Sequence, residues 1–289
     1  MNFSIIIPTY NNFKYLKLTI NSILKNSKFN HEIIVHNNAN DKKTLKFLIG
    51  KKIKYTTSNR NIGLCTSVNL AAKKSTKEYL CYSHDDMYFL PGWDIYLKKE
   101  IDKISHNRFY LSCTQIEPRE YKGGKINNHI FFNAGKFVEN FNEKKLLLNF
   151  KKLKFHNLQG SHWAPHIFHK NLWKRVGGFS EEFNPGFVSD PDLNCKLWHF
   201  CNVRIFKGVN NSRVYHFGSQ TTRKRKIIKK NNGRNIFLKK WKFTVEHFVK
   251  YYLQRGKKYN GPLKIIKNPS YYLSLFSSKL KSIILMAHE

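Results

Sequence analysis

Acidic residues are scarce in this chain: 18 Asp and Glu face 52 Lys and Arg across 289 residues, a formal charge of +34. Cysteine is sparse too. Cys65, Cys81, Cys113, Cys195 and Cys201 are odd in number and show no CxxC spacing. That excludes a disulfide framework and a zinc knuckle, and points to reduced structural thiols. No apolar run approaches the roughly 18 residues needed to cross a bilayer. The opening residues 1–8 carry no basic leader and reach Pro8 too early for a secretory signal. These absences together lead to the expectation of a cytosolic protein.

What is present is apolar bulk and positive charge. Hydrophobic residues make up 41% of the chain, with 23 Phe, 15 Tyr and 5 Trp, ample for a sizeable core. The charge is unevenly placed. Residues 1–100 carry 16 bases and 7 acids, and residues 101–200 carry 15 and 9. Residues 201–289 carry 21 and 2, a local balance of +19. Such an excess calls for an anionic partner: nucleic acid, anionic lipid or a phosphorylated substrate. A proteome rich in Lys and Asn gives the same excess without one.

The first half alternates between short apolar runs and helical spacings. Residues 3–7 read as a buried strand ended by Pro8, residues 32–35 as a second, 51–57 as a weaker third and 79–82 as a fourth. Residues 13–24 place apolar side chains at 13, 16, 20, 23 and 24, a helical spacing. Residues 61–74 do the same with Leu64, Val68, Ala71 and Ala72. Pro91 suits the first turn of a helix reaching about Ser105. The alternation predicts a parallel sheet covered by helices, whose ligands sit beyond the carboxyl ends of the strands. Pro8-Thr9-Tyr10, Asn37-Asn38 and His84-Asp85-Asp86 all fall at such ends.

The pair Asp85-Asp86 is conspicuous in a chain so poor in acids. Adjacent carboxylates repel, so one titrates high unless a cation neutralises them. Mg²⁺ is typically held by one or two carboxylates together with phosphate and water oxygens. A solvated Asp-Asp turn is the plain alternative.

In order along the chain, Ser4-Ile-Ile-Ile-Pro-Thr-Tyr-Asn11, Glu32-Ile-Ile-Val35, Asn59-Arg-Asn-Ile-Gly63 and Glu78-Tyr-Leu-Cys-Tyr-Ser-His-Asp-Asp86 resemble successive landmarks of glycosyltransferase family 2. The likeness resumes at Trp173-Lys-Arg-Val-Gly-Gly-Phe-Ser-Glu181 and Ser189-Asp-Pro-Asp-Leu-Asn194. Each motif is weak alone; the ordered set is a strong signal. The resemblance implies the GT-A fold: α/β, with a Rossmann-like, mostly parallel central sheet flanked by helices, here followed by a basic helical C-terminal extension. Residues 1–219 would form the catalytic domain, divided near 110 into nucleotide-sugar and acceptor halves, and residues 220–289 the extension.

The resemblance also implies roles. Pro8, Thr9 and Tyr10 line the nucleotide base, although Tyr10 fits equally as a hydrophobic lid on the sheet. Asn37 stands where the family usually has an Asp that accepts a base N–H. Its amide carbonyl accepts the same bond without charge, so the base is left open, with a UDP-sugar the expected donor. Arg60 and Gly63 belong to the nucleotide pocket, Gly63 by allowing close backbone approach, or as an ordinary helix-start glycine. Asp86 would ligate Mg²⁺ or Mn²⁺ on the diphosphate, and Asp85 would reach the ribose or a metal-bound water. His84 belongs to the strand end and packs. His216, after what reads as an edge strand, either completes the metal site or packs among its aromatic neighbours.

A second acidic pair, Asp190 and Asp192, opens a helical run over residues 193–200. Helix capping explains both. By the resemblance Asp190 aligns with the general base, Ser189 replaces the first acid of the family pattern, and Asp192, on the acceptor side, is mainly a cap, with the catalytic role as its lesser alternative. His162 and Trp163 line the acceptor site or pack in the core. Beyond residue 220 come a basic block, Arg223-Lys-Arg-Lys226 with Lys229-Lys230, and a helical spacing over residues 233–255. Residues 271–286 interleave apolar side chains with Lys279 and Lys281. That segment lies on an anionic membrane, packs on the catalytic domain, or meets a second subunit.

The expected activity is an inverting, metal-dependent transfer of a hexosyl or N-acetylhexosaminyl group from a nucleotide sugar to a hydroxyl of a glycan or glycolipid. The setting is the cytoplasm or the inner face of the membrane. Asn37 and Ser189 leave room for a binding subunit that has lost catalysis. A nucleic-acid-binding protein would use the charge, with Tyr and Phe as stacking platforms. No RNP, KH or helix-turn-helix signature accompanies it, so no nucleic acid is expected.

Overall fold

A computed structural model describes residues 1–120, 128–160, 164–218 and 232–287. Four strands open the chain: β1 (Phe3–Thr9), β2 (Glu32–Asn38), β3 (Lys54–Ser58) and β4 (Tyr79–Tyr82). They are mutually parallel in the order β3-β2-β1-β4. Beyond β4 the sheet continues through β9 (His166–His169), β6 (Phe109–Glu117), β10 (Ile205–His216) and β5 (Met87–Phe89). Short strands β7 (Ile130–Phe131) and β8 (Leu158–Gln159) pair with β6 and β10.

Direction matters more than order here. Strand β9 is antiparallel to both β4 and β6, so β6 runs with the first four strands, and β10 runs parallel to β6. Six strands therefore finish at one edge, in Thr9, Asn38, Ser58, Tyr82, Glu117 and His216. The expected mostly parallel sheet is present. One correction concerns β10, which is not at the sheet edge: its last residues pair with β6 on one side and antiparallel β5 on the other. Val214, Tyr215 and His216 are all buried, and buried backbone groups must find partners on both sides.

Helix α1 (Phe13–Asn26) buries Leu16, Ile20 and Ile23 of the stripe its spacing predicts, while Phe13 is half-buried and Leu24 faces solvent. Helix α2 (Lys42–Gly50) is absent from the sequence reading; Asp41 caps it by accepting from the Thr44 N–H at 2.8 Å. Helices α3 (Leu64–Ala72), α4 (Trp93–Ile101), α5 (Glu143–Asn149), α6 (Lys170–Val176) and α7 (Ser189–Phe200) follow. Gly92, with φ of 80°, introduces α4, so Pro91 stands just outside the helix it was expected to begin.

The expected helix over residues 233–255 is broken. It divides into α8 (Gly233–Trp241) and α9 (Val245–His247), the latter running into a π-helical turn at Phe248–Tyr252. Lys242 adopts a left-handed φ of 61°, and Thr244 caps the restart by accepting from the His247 N–H. Phe237, Phe248, Leu253 and Leu263 join the same buried core as β1 and α7. Each such side chain withheld from water contributes about 1.5–3 kcal/mol, which fixes this part of the extension to the sheet. A final helix, α10 (Pro269–Ala287), closes the described chain. The 219/220 division and the basic block at residues 223–230 lie outside the described residues, as do His162 and Trp163.

Candidate active site

Where β4 ends, the chain turns through Ser83 and His84 into the two aspartates. The buried Asp85 carboxylate accepts from Thr9 Oγ1 at 2.6 Å and from Asn12 Nδ2 at 2.9 Å. Its backbone carbonyl accepts from Thr19 Oγ1 at 2.8 Å. Asp85 thus ties the loop after β1 to the loop after β4. Burial and the neighbouring charge of Asp86 push its carboxyl up to about 7.

Asp86 faces the end of β10. One ring nitrogen of His216 lies 3.4 Å from Asp86 Oδ1, and the other lies 2.8 Å from Glu117 Oε1 at the end of β6. Burial pulls the His216 ring down, but the charges and hydrogen bonds of Asp86 and Glu117 outweigh it and raise it to about 10. His84 joins the group, its ring 5.8 Å from that of His216. Burial lowers His84 to about 4, against the pull of Asp86, which leaves it neutral and able to donate a lone pair. His84, Asp86 and His216 bring one ligand atom each within 4.8 Å of the others. The His216 ring carries a proton between its two carboxylates, so a divalent transition ion would have to displace that proton to use two imidazoles and a carboxylate at this spacing, with Glu117 orienting one ring from behind.

The other nucleotide-side residues divide. Pro8 and Tyr10 are partly buried at the carboxyl end of β1, beside the Thr9–Asp85 bond. The Asn37 amide closes on its own turn, donating to the Asp41 carbonyl at 3.0 Å and accepting the Asp41 N–H at 3.1 Å. Arg60 is exposed on the loop after β3. Gly63 does permit a close approach, but of Asn184: a Cβ there would lie 2.3 Å from Asn184 Oδ1. That oxygen accepts the Cys65 N–H at 2.9 Å, so Asn184 caps α3 from across the fold.

The second acidic pair also separates. Val188, with φ of 72°, turns the chain into α7, and Asp190 lies in its first turn without a capping bond. Asp190 Oδ1 is buried and has no hydrogen-bond partner among the described residues, and the same holds for Tyr110 Oη and Gln115 Oε1. Buried polar atoms are nearly always paired, so each of these calls for a water, ligand or ion as partner. Burial lifts the Asp190 carboxyl to about 6, with Arg255 opposing. Tyr82, at the end of β4, links the two acid groups: burial, and then the charges of Asp190 and Asp85, raise its phenol.

Asp192 is fully buried and does something else. It accepts from Ser180 Oγ at 2.6 Å and from Trp241 Nε1 at 2.9 Å, and pairs with Lys240 at 3.0 Å. This corrects the expectation of a cap: the carboxylate bonds the extension to the body, and no α7 N–H. Two residues did not stand out in the sequence: His84 as a member of a possible ligand set, and Glu117 altogether. An acid at the last position of a long buried strand was the available signal for Glu117.

A mostly parallel sheet that gathers a possible metal-ligand set and a separate carboxylate with one unbonded buried oxygen beyond its strand ends has the layout of the GT-A fold. The profile of glycosyl transferase family 2 matches residues 4–173, and the chain belongs to that family. An uncharacterised glycosyltransferase of Rickettsia typhi is 38% identical over 223 residues, covering 76% of this chain and 65% of the relative. Another, of Rickettsia bellii, is 29% identical over 142 residues, 47% of this chain and 19% of the relative. The chain thus spans less than two thirds of either relative's length. Among solved structures, S. aureus TarS superposes with a TM-score of 0.57 at 15% identity, covering 98% of this chain and 71% of that one. TarS with UDP-GlcNAc gives 0.53 at 19%, covering 76% and 61%. GalNAc-T7 with UDP, GalNAc and Mn²⁺ gives 0.57 at 16%, covering 87% and 48%. At these identities the likeness establishes the fold.

Proposed function

We infer that this glycosyltransferase moves a sugar from a nucleoside diphosphate donor to an acceptor hydroxyl in one inverting displacement. The observation that carries the reading is Asp190, a carboxylate raised toward neutrality whose buried oxygen has no partner among the described residues. The donor would lie along the strand ends, its base toward Pro8, Thr9 and Tyr10 and its diphosphate toward Asp86. His84, Asp86 and His216 would hold a divalent cation. Mn²⁺ suits that set better than Mg²⁺, which takes oxygen ligands. When bound, such an ion offsets the negative charge gathering on the departing diphosphate.

The chain's own groups do the rest. Glu117 fixes the orientation of the His216 ring. Asp85 holds the β1 and β4 loops in register, besides any contact with ribose. Asp190 accepts the proton of the acceptor hydroxyl as that oxygen attacks the anomeric carbon. The bond from that carbon to the phosphate oxygen breaks, leaving its electron pair on the nucleoside diphosphate. Attack from the opposite face inverts the anomeric centre.

UDP-GlcNAc bound to TarS and UDP bound to GalNAc-T7 support a uridine donor of the N-acetylhexosamine type. The acceptor is a hydroxyl of a glycan or lipid-linked glycan. Residues 1–219 carry the transferase, with the donor half ending near 110 and the extension at 220–289. Five free, buried cysteines support a cytoplasmic setting. A screen of nucleotide sugars for nucleoside diphosphate release, with Mn²⁺ and with chelator, tests the reading. Release from no donor under any metal condition would overturn it.

A further inference from the structure

Helix α10 is turned inside out. Its buried side consists of Tyr271, Ser278 and Ser282, and Ser274 and Ser278 bond to His247 and to the Thr244 N–H. The opposite side is apolar and faces solvent: Tyr272, Leu273, Phe276, Leu280, Ile283 and Ile284 are 45–70% exposed. With 3.6 residues per turn, these six fall within an arc of about 120° opposite the buried serines. Lys279 stands at one margin of that arc and Lys281 about 60° beyond the other. A surface helix ordinarily presents the reverse order, and single exposed apolar residues, which are commonplace, do not form such a stripe.

Charge decides what covers it. Residues 201–289 hold 21 bases and 2 acids. Lys242 Nζ lies 3.3 Å from Met286 Sδ, beside the same helix, and Lys264 and Lys267 are exposed just ahead of it. Two copies meeting through this face would bring those lysines together with almost no acid to answer them. Lipid phosphates complement the lysines, and acyl chains accept the apolar arc. No described helix is long and apolar enough to cross a membrane, so the face can only lie in the interface. We propose that α10 seats the protein on an anionic bilayer, its outward face in the headgroup–acyl boundary and Lys279 and Lys281 at the level of the phosphates. The proposal is independent of the transferase reading, since it needs neither donor nor acceptor.

The test is sedimentation of the full chain with vesicles of phosphatidylcholine, alone or mixed with phosphatidylglycerol. Binding to the mixed vesicles is expected to be at least about tenfold tighter and to weaken with added salt. Phe276→Asp with Ile283→Asp is expected to lose at least about tenfold on the mixed vesicles while keeping the parent's melting temperature, since both side chains point away from the body. Lys279→Glu with Lys281→Glu is expected to remove most of the preference for phosphatidylglycerol. Absent binding, or binding that survives the two Asp substitutions, overturns the proposal. So does a parent that self-associates on sizing and becomes monomeric in the Asp variant without ever binding vesicles; a second copy would then cover the face.

Discussion

Glu117 and His216 meet at 2.8 Å across the ends of β6 and β10, and the other nitrogen of the same ring faces Asp86. A ligand held from behind in this way loses affinity when its support is altered, typically by 10–100-fold. Glu117→Gln is therefore expected to weaken Mn²⁺ binding by about that factor. The readout is the Mn²⁺-induced rise in melting temperature, which for the parent at about a hundred times its Kd corresponds to roughly 2.7 kcal/mol. Asp86→Ala and His84→Ala should each abolish the rise. A parent-like rise in His84→Ala returns that histidine to simple packing; one in Asp86→Ala removes the metal site.

Asp190 gives a pH dependence of activity. A general base works only when deprotonated, so transfer is expected to fall as pH drops through about 6, the value to which burial lifts this carboxyl. A rate flat from pH 8 down to pH 5 would remove Asp190 as the base.

The same residue gives a pH dependence of stability of the opposite sense. Its pKa rises from 3.8 to about 6 on folding, so between those values the native state holds a proton that the unfolded chain has released. Stability falls as pH rises through that window and stays lower above it. Asp190→Asn, which carries no charge to bury, is expected to melt above the parent at pH 8, with the gain shrinking at pH 5. A variant that melts well below the parent at both values would make Asp190 structural.

Asp192 should behave otherwise. Removing it leaves Ser180, Trp241 and Lys240 without their shared acceptor. Lys240 is partly exposed, so the cost is set mainly by the lost buried hydrogen bonds, about 2–3 kcal/mol. Asp192→Ala is expected to lower the melting temperature by roughly 3–5 °C, and Asp192→Asn by less. An unchanged melting temperature in Asp192→Ala would contradict the anchoring role.

Much of this architecture was legible from local pattern. Strands β1 and β4 are apolar runs, although β1 carries on through Pro8, the expected stop, to Thr9, still paired with β2, and Asp86 announces itself in a chain so poor in acid. Helix α2 was not legible, because it buries only Thr44 and Leu48 and shows hardly any stripe. Glu117 and His216 lie 99 residues apart and meet only because β6 and β10 run parallel after long connections. Asn37 sits at the strand end where a base reader was expected, and its bonds to Asp41 are a matter of turn geometry that residue type does not reveal. The role of Asp192 depends on Trp241, 49 residues further along the chain.

The most direct measurement is nucleoside diphosphate release from UDP-GlcNAc and other nucleotide sugars by the parent and by Asp190→Asn, with UDP binding measured on both. The parent is expected to release nucleoside diphosphate from at least one donor when Mn²⁺ and acceptor are present. Asp190→Asn is expected to transfer at least about a hundredfold more slowly while binding UDP as the parent does. Undiminished transfer by Asp190→Asn, or a parent that binds UDP yet releases nothing from any donor, would contradict an inverting transferase with Asp190 as its base.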